Sequence, residues 1–470
     1  MSPSQRRICA LFALVSACAR AGDGRIADAP SPSQAPQPIS AAPRSPAQPA
    51  TAIASEDDDV VVELFEPDGP ADVVLLPTFT DVFAEPRLDA ARLGVLAIGE
   101  RVRVREPIST EDCDAGWRPL VPHGFICAEV EPTKKPASDT ILPRLPRGSL
   151  VPGTYAKLSS ERSRIFASLD DALAGRGGAL PDASLTVRRI GTASRGGREF
   201  WRTRHGYVAA DELRKLDTSR FRGAAVGDAL AQPRAWARFR GNDGTIPLRA
   251  APDAAAAITF RMPARRTATV LATSDDGRFV ELALGGDERG WAAKDDVRIA
   301  SRVAPPAGIA DDERWLDIDV SQQVLVAYVG ARPVYATLVS TGRRGHDTPE
   351  GSFRIERKVA ERTMSSRPGD DDPYAVDRVP WTAYFVGSYA LHAAYWHGSF
   401  GERKSHGCVN LAPADARHLY AWTGPGVHPG YSEVLAAPQQ PGSLVRIRDG
   451  APEREDAEPV VLALADIDAP

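Results

Sequence analysis

From about residue 60 onward, the chain alternates short apolar runs of four to six residues with Gly, Pro, Asp and Asn. This pattern is typical of short β-strands joined by tight turns. A chain of 470 residues is longer than one hydrophobic core usually supports, so several domains are expected. We therefore predict a mainly β protein that begins with three small β modules, over residues 60–135, 150–220 and 232–302.

Each predicted module closes on a related phrase, in which a glycine stands beside an aromatic residue and small or apolar residues follow. The three phrases begin at Gly124, Gly206 and Gly290. This weak repeat resembles the ending of bacterial SH3-like barrels, which in cell-wall enzymes bind peptidoglycan or position a catalytic domain. Generic β modules that serve as spacers are the alternative, and no binding residue stands out in them.

A further β-rich domain is predicted over residues 313–449. Three closely spaced apolar runs open it: residues 315–320, 324–329 and 334–340. Such short connections favour an antiparallel meander over parallel βαβ units. One helix is predicted over residues 413–422, with Pro413 at its first position. Residues 450–470 are expected to form an acidic tail.

Residues 1–21 have the pattern of an export signal. Arg6 and Arg7 are followed by an apolar run over residues 8–17, which is too short to span a bilayer. The run ends in Val-Ser-Ala-Cys, which resembles the lipobox at which bacterial lipoproteins are cleaved and acylated on the cysteine. We expect Cys18 to be lipidated; cleavage after Ala21, which discards Cys18, is the alternative.

The mature protein is therefore expected in the periplasm or cell envelope, with membrane contact only through the lipid anchor. Residues 22–59 are dominated by Pro, Ala, Ser and Gln, a composition typical of an extended spacer. The chain is 43% hydrophobic and 25% charged, with a formal net charge of −5. It lacks the domain-scale basic patch that nucleic-acid binding usually requires, so no nucleic-acid partner is predicted.

The five cysteines divide by position. Cys9 lies in the export signal and Cys18 in the lipobox. Cys113 and Cys127 are expected to form a disulfide, because close cysteines pair in an oxidising compartment. Cys408 is left unpaired, and a lone thiol in an exported protein is open to oxidation, which makes a chemical role worth weighing. A buried inert cysteine is the alternative.

Cys408 lies among the histidines His392, His397 and His406. Neither an acidic zinc ligand nor a C-x-x-C accompanies them, so no metal and no cofactor is predicted. A thiol nucleophile needs a base, a fixed orientation and donors for the oxyanion. His392 or the following helix is expected to lower the pKa of the thiol, and Gly407 to let a substrate carbonyl reach the backbone N–H of Cys408.

The segment that ends in Ser-His-Gly-Cys-Val-Asn, residues 405–410, resembles the signature of the YkuD family of L,D-transpeptidases. Tyr-Ala-Leu-His ending at His392 and Tyr-Trp-His ending at His397 fit the same signature. Upstream, Ser-Thr-Gly at residues 340–342 and Thr-Pro-Glu-Gly-Ser-Phe at residues 348–353 match the family's earlier phrase. The resemblance covers residues 313–449 and implies a β-rich catalytic domain with a short helix after the motif.

The resemblance implies that Cys408 attacks the third, diamino-acid residue of a peptidoglycan tetrapeptide stem and releases the terminal D-Ala. His392 is implied as the base, with His406 and Gly407 shaping the oxyanion pocket. An amine acceptor on another stem or protein would give a crosslink or a transfer product. Hydrolysis by an L,D-carboxypeptidase and non-catalytic peptidoglycan binding are the alternatives.

Three further roles follow from the same resemblance. Ser405 and Asn410 are expected to hold the substrate-binding loop, and His397 to line the site, with a packed loop histidine as its alternative. Residues 361–377 form a long loop with Gly and Pro, where family domains carry a lid over the cleft. A solvated loop is the alternative there.

Overall fold

The computed structural model describes residues 71–158, 163–179, 184–238, 244–366 and 373–450. All of them fall within one of two compact units, Val60–Pro470. The predicted export signal, the lipidation site Cys18, the spacer and the acidic tail after residue 450 lie outside the described residues. Within the described ranges, no helix is long and apolar enough to cross a membrane.

The described chain is mainly β, which confirms the predicted fold class. Its first region consists of seven strands: β1 (Asp72–Leu75), β2 (Thr80–Phe83), β3 (Arg92–Leu96), β4 (Arg101–Val104), β5 (Trp117–Pro119), β6 (Phe125–Cys127) and β7 (Glu131–Pro132). A disulfide joins Cys113 to Cys127, and Trp117 is fully buried beside it. The assignment of this region to SH3-like barrels stays a prediction.

The second region is not purely β. Its elements are β8 (Tyr155–Lys157), α1 (Leu169–Ala174), β9 (Ser184–Arg188), β10 (Gly191–Arg195), β11 (Arg198–Thr203), β12 (Gly206–Ala209), a 3-10 helix (Ala210–Glu212) and β13 (Arg214–Lys215). Helix α1 was missed in the sequence although both of its ends carry signals. Ser168 caps it by accepting from the Asp171 N–H, and Gly175 ends it with a φ of 64°.

The third region, called module 3 below, contains a seven-stranded antiparallel sheet. Two short elements precede the sheet, β14 (Ala224–Ala225) and a 3-10 helix (Gly227–Ala231). The sheet is built from β15 (Arg234–Ala237), β16 (Thr245–Arg249), β17 (Ile258–Pro263), β18 (Thr267–Thr273), β19 (Phe279–Gly285), β20 (Glu288–Ala293) and β21 (Val297–Ala300), with a 3-10 helix (Lys294–Asp296) before β21. The glycine–aromatic phrase at Gly290 lies inside β20, where the missing side chain leaves room for Leu248 on the neighbouring strand.

The last region carries the predicted catalytic domain. Its elements are β22 (Arg314–Asp319), β23 (Val324–Val329), β24 (Arg332–Leu338), β25 (Gly351–Arg354), β26 (Arg357–Ser365), β27 (Tyr374–Val386), β28 (Tyr389–Ala393), β29 (Val409–Leu411), α2 (Pro413–Trp422), β30 (Tyr431–Leu435) and β31 (Leu444–Arg448). Strands β22, β23 and β24 form the expected antiparallel meander, and β31 then joins β22 in parallel. Helix α2 has the predicted bounds.

Helix α2 is fastened at both ends by buried polar groups. In its first turn, Asp415 accepts hydrogen bonds from the Tyr335 hydroxyl at 2.6 Å and from the Thr337 hydroxyl. At its other end, the buried Lys358 donates to the carbonyl oxygens of Tyr420, at 2.8 Å, and of Thr423. Lys358 supplies donors to carbonyls that a helix end leaves without partners. These contacts fix the segment that follows β29.

Strand pairing continues from the β modules into the catalytic domain. Strand β3 pairs with β30, β9 pairs in parallel with the start of β27, and β14 pairs with β24. Backbone hydrogen bonds therefore link the first two regions, and the segment before the module 3 sheet, to the catalytic domain. A simple string of independent modules would not share strands in this way.

The expected long loop over residues 361–377 is wrong for most of its length. Strand β26 extends to Ser365 and β27 begins at Tyr374, so the segment is a β-hairpin. Residues 367–372, between the two strands in the sequence, lie outside the described residues. The Gly, Pro and Asp residues that suggested a loop are concentrated in this interval, whereas the residues on either side of it are extended by pairing with each other and with β9.

Candidate active site

The candidate site lies on two neighbouring parallel strands, β28 and β29. In their register His392 is opposite Asn410, and Leu391 is opposite Val409. Side chains alternate between the two faces of a strand. Cys408 directly precedes β29, and its side chain packs against Ala390 on β28, two residues before His392. Continuing the alternation by one residue puts the thiol on the face of Asn410 and His392.

Cys408 is half-buried, and its Sγ lies 3.7 Å from the carbonyl oxygen of Ser388, to which the thiol donates. Burial raises the pKa of this thiol to about 11, although the Ala390 backbone N–H opposes the shift. The resting thiol is therefore protonated at neutral pH. The expectation that a neighbouring imidazole or the following helix lowers this pKa is wrong, because the loss of water around the buried thiol outweighs any favourable partner.

His392 is buried, with 3% of its surface exposed, and its Nδ1 lies 3.4 Å from the Ala393 carbonyl oxygen. The ring packs against Trp396 at 5.7 Å between centroids. Burial lowers the pKa of His392 to about 4, so the imidazole is neutral. A neutral imidazole on the same face as a neutral thiol suits a general base that accepts the proton during the reaction.

Ser405 and Gly407 shape the turn that carries Cys408. The Ser405 hydroxyl donates to the Cys408 carbonyl oxygen and accepts from the Gly407 N–H at 3.0 Å. Gly407 has a φ of 116°, and a Cβ there would lie 2.4 Å from the Tyr389 ring. Its carbonyl accepts from the Thr348 hydroxyl at 2.7 Å. A glycine is required at this position by both its backbone conformation and the space available.

His397 and Asn410 contact each other through their side chains. The Asn410 side-chain amide lies 2.8 Å from Nε2 of His397, and Nδ1 of His397 accepts from the Ser399 N–H at 3.2 Å. Burial, helped by the Lys404 charge, lowers the pKa of His397 to about 3. Both ring nitrogens of His397 thus have partners within the protein. This agrees with a packed loop histidine, and neither nitrogen is left to bind a substrate.

His406 forms a wall of the site together with residues that the sequence analysis did not single out. Its Nε2 lies 2.9 Å from the Arg343 guanidinium, and its ring stacks on Tyr374 at 4.4 Å and meets His346 edge-on at 4.9 Å. Arg343 directly follows the Ser-Thr-Gly phrase and His346 comes three residues after it, so their position in the sequence was a usable signal. Tyr374 is the first residue of β27, and no local sequence pattern predicted its contact with His406.

His418 on helix α2 packs against the Tyr335 ring at 4.6 Å, and burial lowers its pKa to about 4. Among the residues that the structure describes, no three His, Cys, Asp or Glu side chains are grouped so as to hold a metal ion.

The fold and the site define a β-rich domain in which a thiol and an imidazole share one face of a parallel strand pair. Residues 313–445 match the family model of the L,D-transpeptidase catalytic domain, YkuD, and this domain belongs to that family. No curated protein matches the chain.

Solved L,D-transpeptidase structures are similar to parts of the chain. A mutant of the Enterococcus faecium enzyme is 18% identical over 32% of this chain and 55% of that one, with a TM-score of 0.24. The Stackebrandtia nassauensis enzyme is 25% identical over 30% and 58%, with a TM-score of 0.22. The Mycobacterium smegmatis enzyme is 17% identical over 56% and 99%, with a TM-score of 0.24. The chain thus covers little more than half the length of the first two.

Proposed function

We propose that the protein is a cysteine L,D-transpeptidase that acts on peptidoglycan tetrapeptide stems through a thioester on Cys408. The observation that supports the proposal is the β28–β29 register, in which His392 is opposite Asn410, two residues after Cys408, within a domain of this family. The proposed location is the periplasm or cell envelope, with a lipid anchor on Cys18.

The first step forms the acyl-enzyme. Sγ of Cys408 bonds to the carbonyl carbon of the third stem residue, and His392 accepts the thiol proton. The amide bond to the terminal D-Ala then breaks, and the proton passes from His392 to the leaving amine. The backbone N–H of Cys408 is the proposed donor to the oxyanion, with the turn held by Ser405 and Gly407.

The second step transfers the stem. The amine of an acceptor, on another stem or on a protein, attacks the thioester carbonyl and displaces the thiolate of Cys408. The amine loses a proton to His392, which returns it to the thiolate. Attack by the side-chain amine of a second stem gives a 3→3 crosslink, and attack by water gives a trimmed tripeptide instead.

Incubation of the purified protein with tetrapeptide-rich sacculi tests the proposal. Muropeptide analysis is expected to show new 3→3 dimers and released D-Ala with the wild type and neither with Cys408→Ala. Tripeptides without dimers would assign the L,D-carboxypeptidase activity. A carbapenem is expected to add its mass to wild type only, and folded wild type without either product or adduct would favour non-catalytic peptidoglycan binding.

A further inference from the structure

Three arginines of module 3 hold the segment that leads into the catalytic motif, residues 397–405, called the catalytic loop below. Arg265 donates to the Gly398 carbonyl oxygen, and Nε of Arg298 donates to the Gly401 carbonyl oxygen at 2.6 Å. Arg238 binds the Glu402 carboxylate with two parallel hydrogen bonds of 2.6 and 2.5 Å. Glu402 is followed, three residues later, by Ser405.

These contacts are sheltered and directional. The side chains of Arg238 and Arg298 keep 14% exposure each, and Glu402 keeps 35%. A paired arginine–carboxylate fork fixes orientation as well as distance. Removing one partner of a partly buried pair leaves the other charge uncompensated, which costs more than the loss of an exposed pair.

The catalytic loop also contacts residues around the candidate active site. The Ser399 N–H donates to Nδ1 of His397, and the Ser399 carbonyl accepts from the Ser340 hydroxyl at 2.9 Å. The N–H groups of Lys404 and Ser405 both donate to the Thr341 carbonyl. Through Ser405, the loop reaches the carbonyl oxygen of Cys408. The loop therefore lies between module 3 and the thiol.

We propose that Arg238, Arg265 and Arg298 are positioning residues for acylation: module 3 clamps the catalytic loop so that the thiol and imidazole keep their reactive arrangement. This inference rests on the proposed function, since acylation is the step it describes. These three arginines then bind the protein's own catalytic loop, so they do not form a surface for binding peptidoglycan.

The test uses the full chain and the rate of carbapenem acylation, followed by mass at several concentrations. This separates the maximal rate constant from the constant for reversible binding. The variants are Arg238→Ala, Arg238→Lys, Glu402→Gln and the Arg238→Ala/Glu402→Gln double variant. Arg278→Ala is the matched control, because Arg278 is in the same module but pairs with Asp276 on the surface. Melting temperatures check that each variant is folded.

Arg238→Ala and Glu402→Gln are each expected to lower the maximal rate constant about 10-fold or more, because small displacements of reacting groups strongly reduce rate. Reversible binding should stay near the wild-type value. The double variant should be no slower than the slower single one, since both act through one contact. Arg238→Lys should be faster than Arg238→Ala but slower than wild type, because lysine keeps the charge and loses the paired geometry. Arg278→Ala should acylate at the wild-type rate.

Wild-type rates in both Arg238→Ala and Glu402→Gln would overturn the inference while leaving the proposed function intact. A double variant whose loss equals the product of the single losses would also overturn it. If Arg238→Ala does not fold, Glu402→Gln decides the question, because it removes the paired charge at nearly constant volume. Failure of wild type to acylate would refute the proposed function itself, and the inference with it.

Discussion

The neutral state of the thiol and imidazole predicts a specific pH dependence of Cys408 alkylation by iodoacetamide. Burial raises the pKa of Cys408 to about 11 and lowers that of His392 to about 4. With a pKa of about 11, roughly one thiol in ten thousand is ionised at pH 7, and this fraction rises about tenfold per pH unit. The alkylation rate should therefore climb steadily from pH 6 to pH 10.

The assay follows the mass of a protein in which Cys9 and Cys18 are replaced by serine. The disulfide protects Cys113 and Cys127, so the thiol at position 408 is the alkylation site. His392→Ala should leave the alkylation profile nearly unchanged, because the resting thiol gains no charge stabilisation from a neutral ring. The same variant should slow carbapenem acylation by about 10² to 10⁴, the usual contribution of a general base.

A rate that levels off near pH 7 would refute this reasoning, because it would reveal a thiolate–imidazolium pair already formed in the resting site. Equal slowing of alkylation and acylation in His392→Ala would refute it as well. That result would mean that the imidazole supplies the thiolate before substrate arrives, rather than accepting its proton in the transition state.

Three further predictions concern the scaffold of the site. Gly407→Ala should abolish carbapenem acylation and lower the melting temperature, because the new methyl group meets the Tyr389 ring and the residue has a positive φ. Acylation at the wild-type rate would contradict this account of the turn. Lys358→Met should lower the free energy of unfolding by about 2 kcal/mol, because two carbonyl oxygens near the end of helix α2 lose their donor. An unchanged urea midpoint would show that these hydrogen bonds contribute nothing to stability. Replacing Cys113 and Cys127 by serine should lower the free energy of unfolding by about 3 kcal/mol, as expected for a loop of this length. At a temperature where the variant stays folded, acylation at the wild-type rate would show that the disulfide affects stability alone.

Much of the catalytic domain was readable from local sequence. Residues 413–422 form the predicted helix, and the runs after residue 313 form the predicted meander. Parts of the motif are also close in the structure: Ser405 and Gly407 form one turn, and His392 is opposite Asn410, two residues after Cys408. Helix propensity, turn residues and strand alternation depend on neighbours a few positions away, so a local pattern reports them well.

The sequence by itself determined the β class, the position of the helix after the motif and the set of candidate side chains for the chemistry. Tertiary structure alone decided that Tyr374 stacks on His406, that β9 extends the hairpin, and that Arg238 holds Glu402 across 164 positions. It also decided the protonation of Cys408, whose pKa is raised because the folded chain excludes water. Contacts between distant segments and the burial that they create leave no periodic trace in the chain, because they arise only when separate elements pack together.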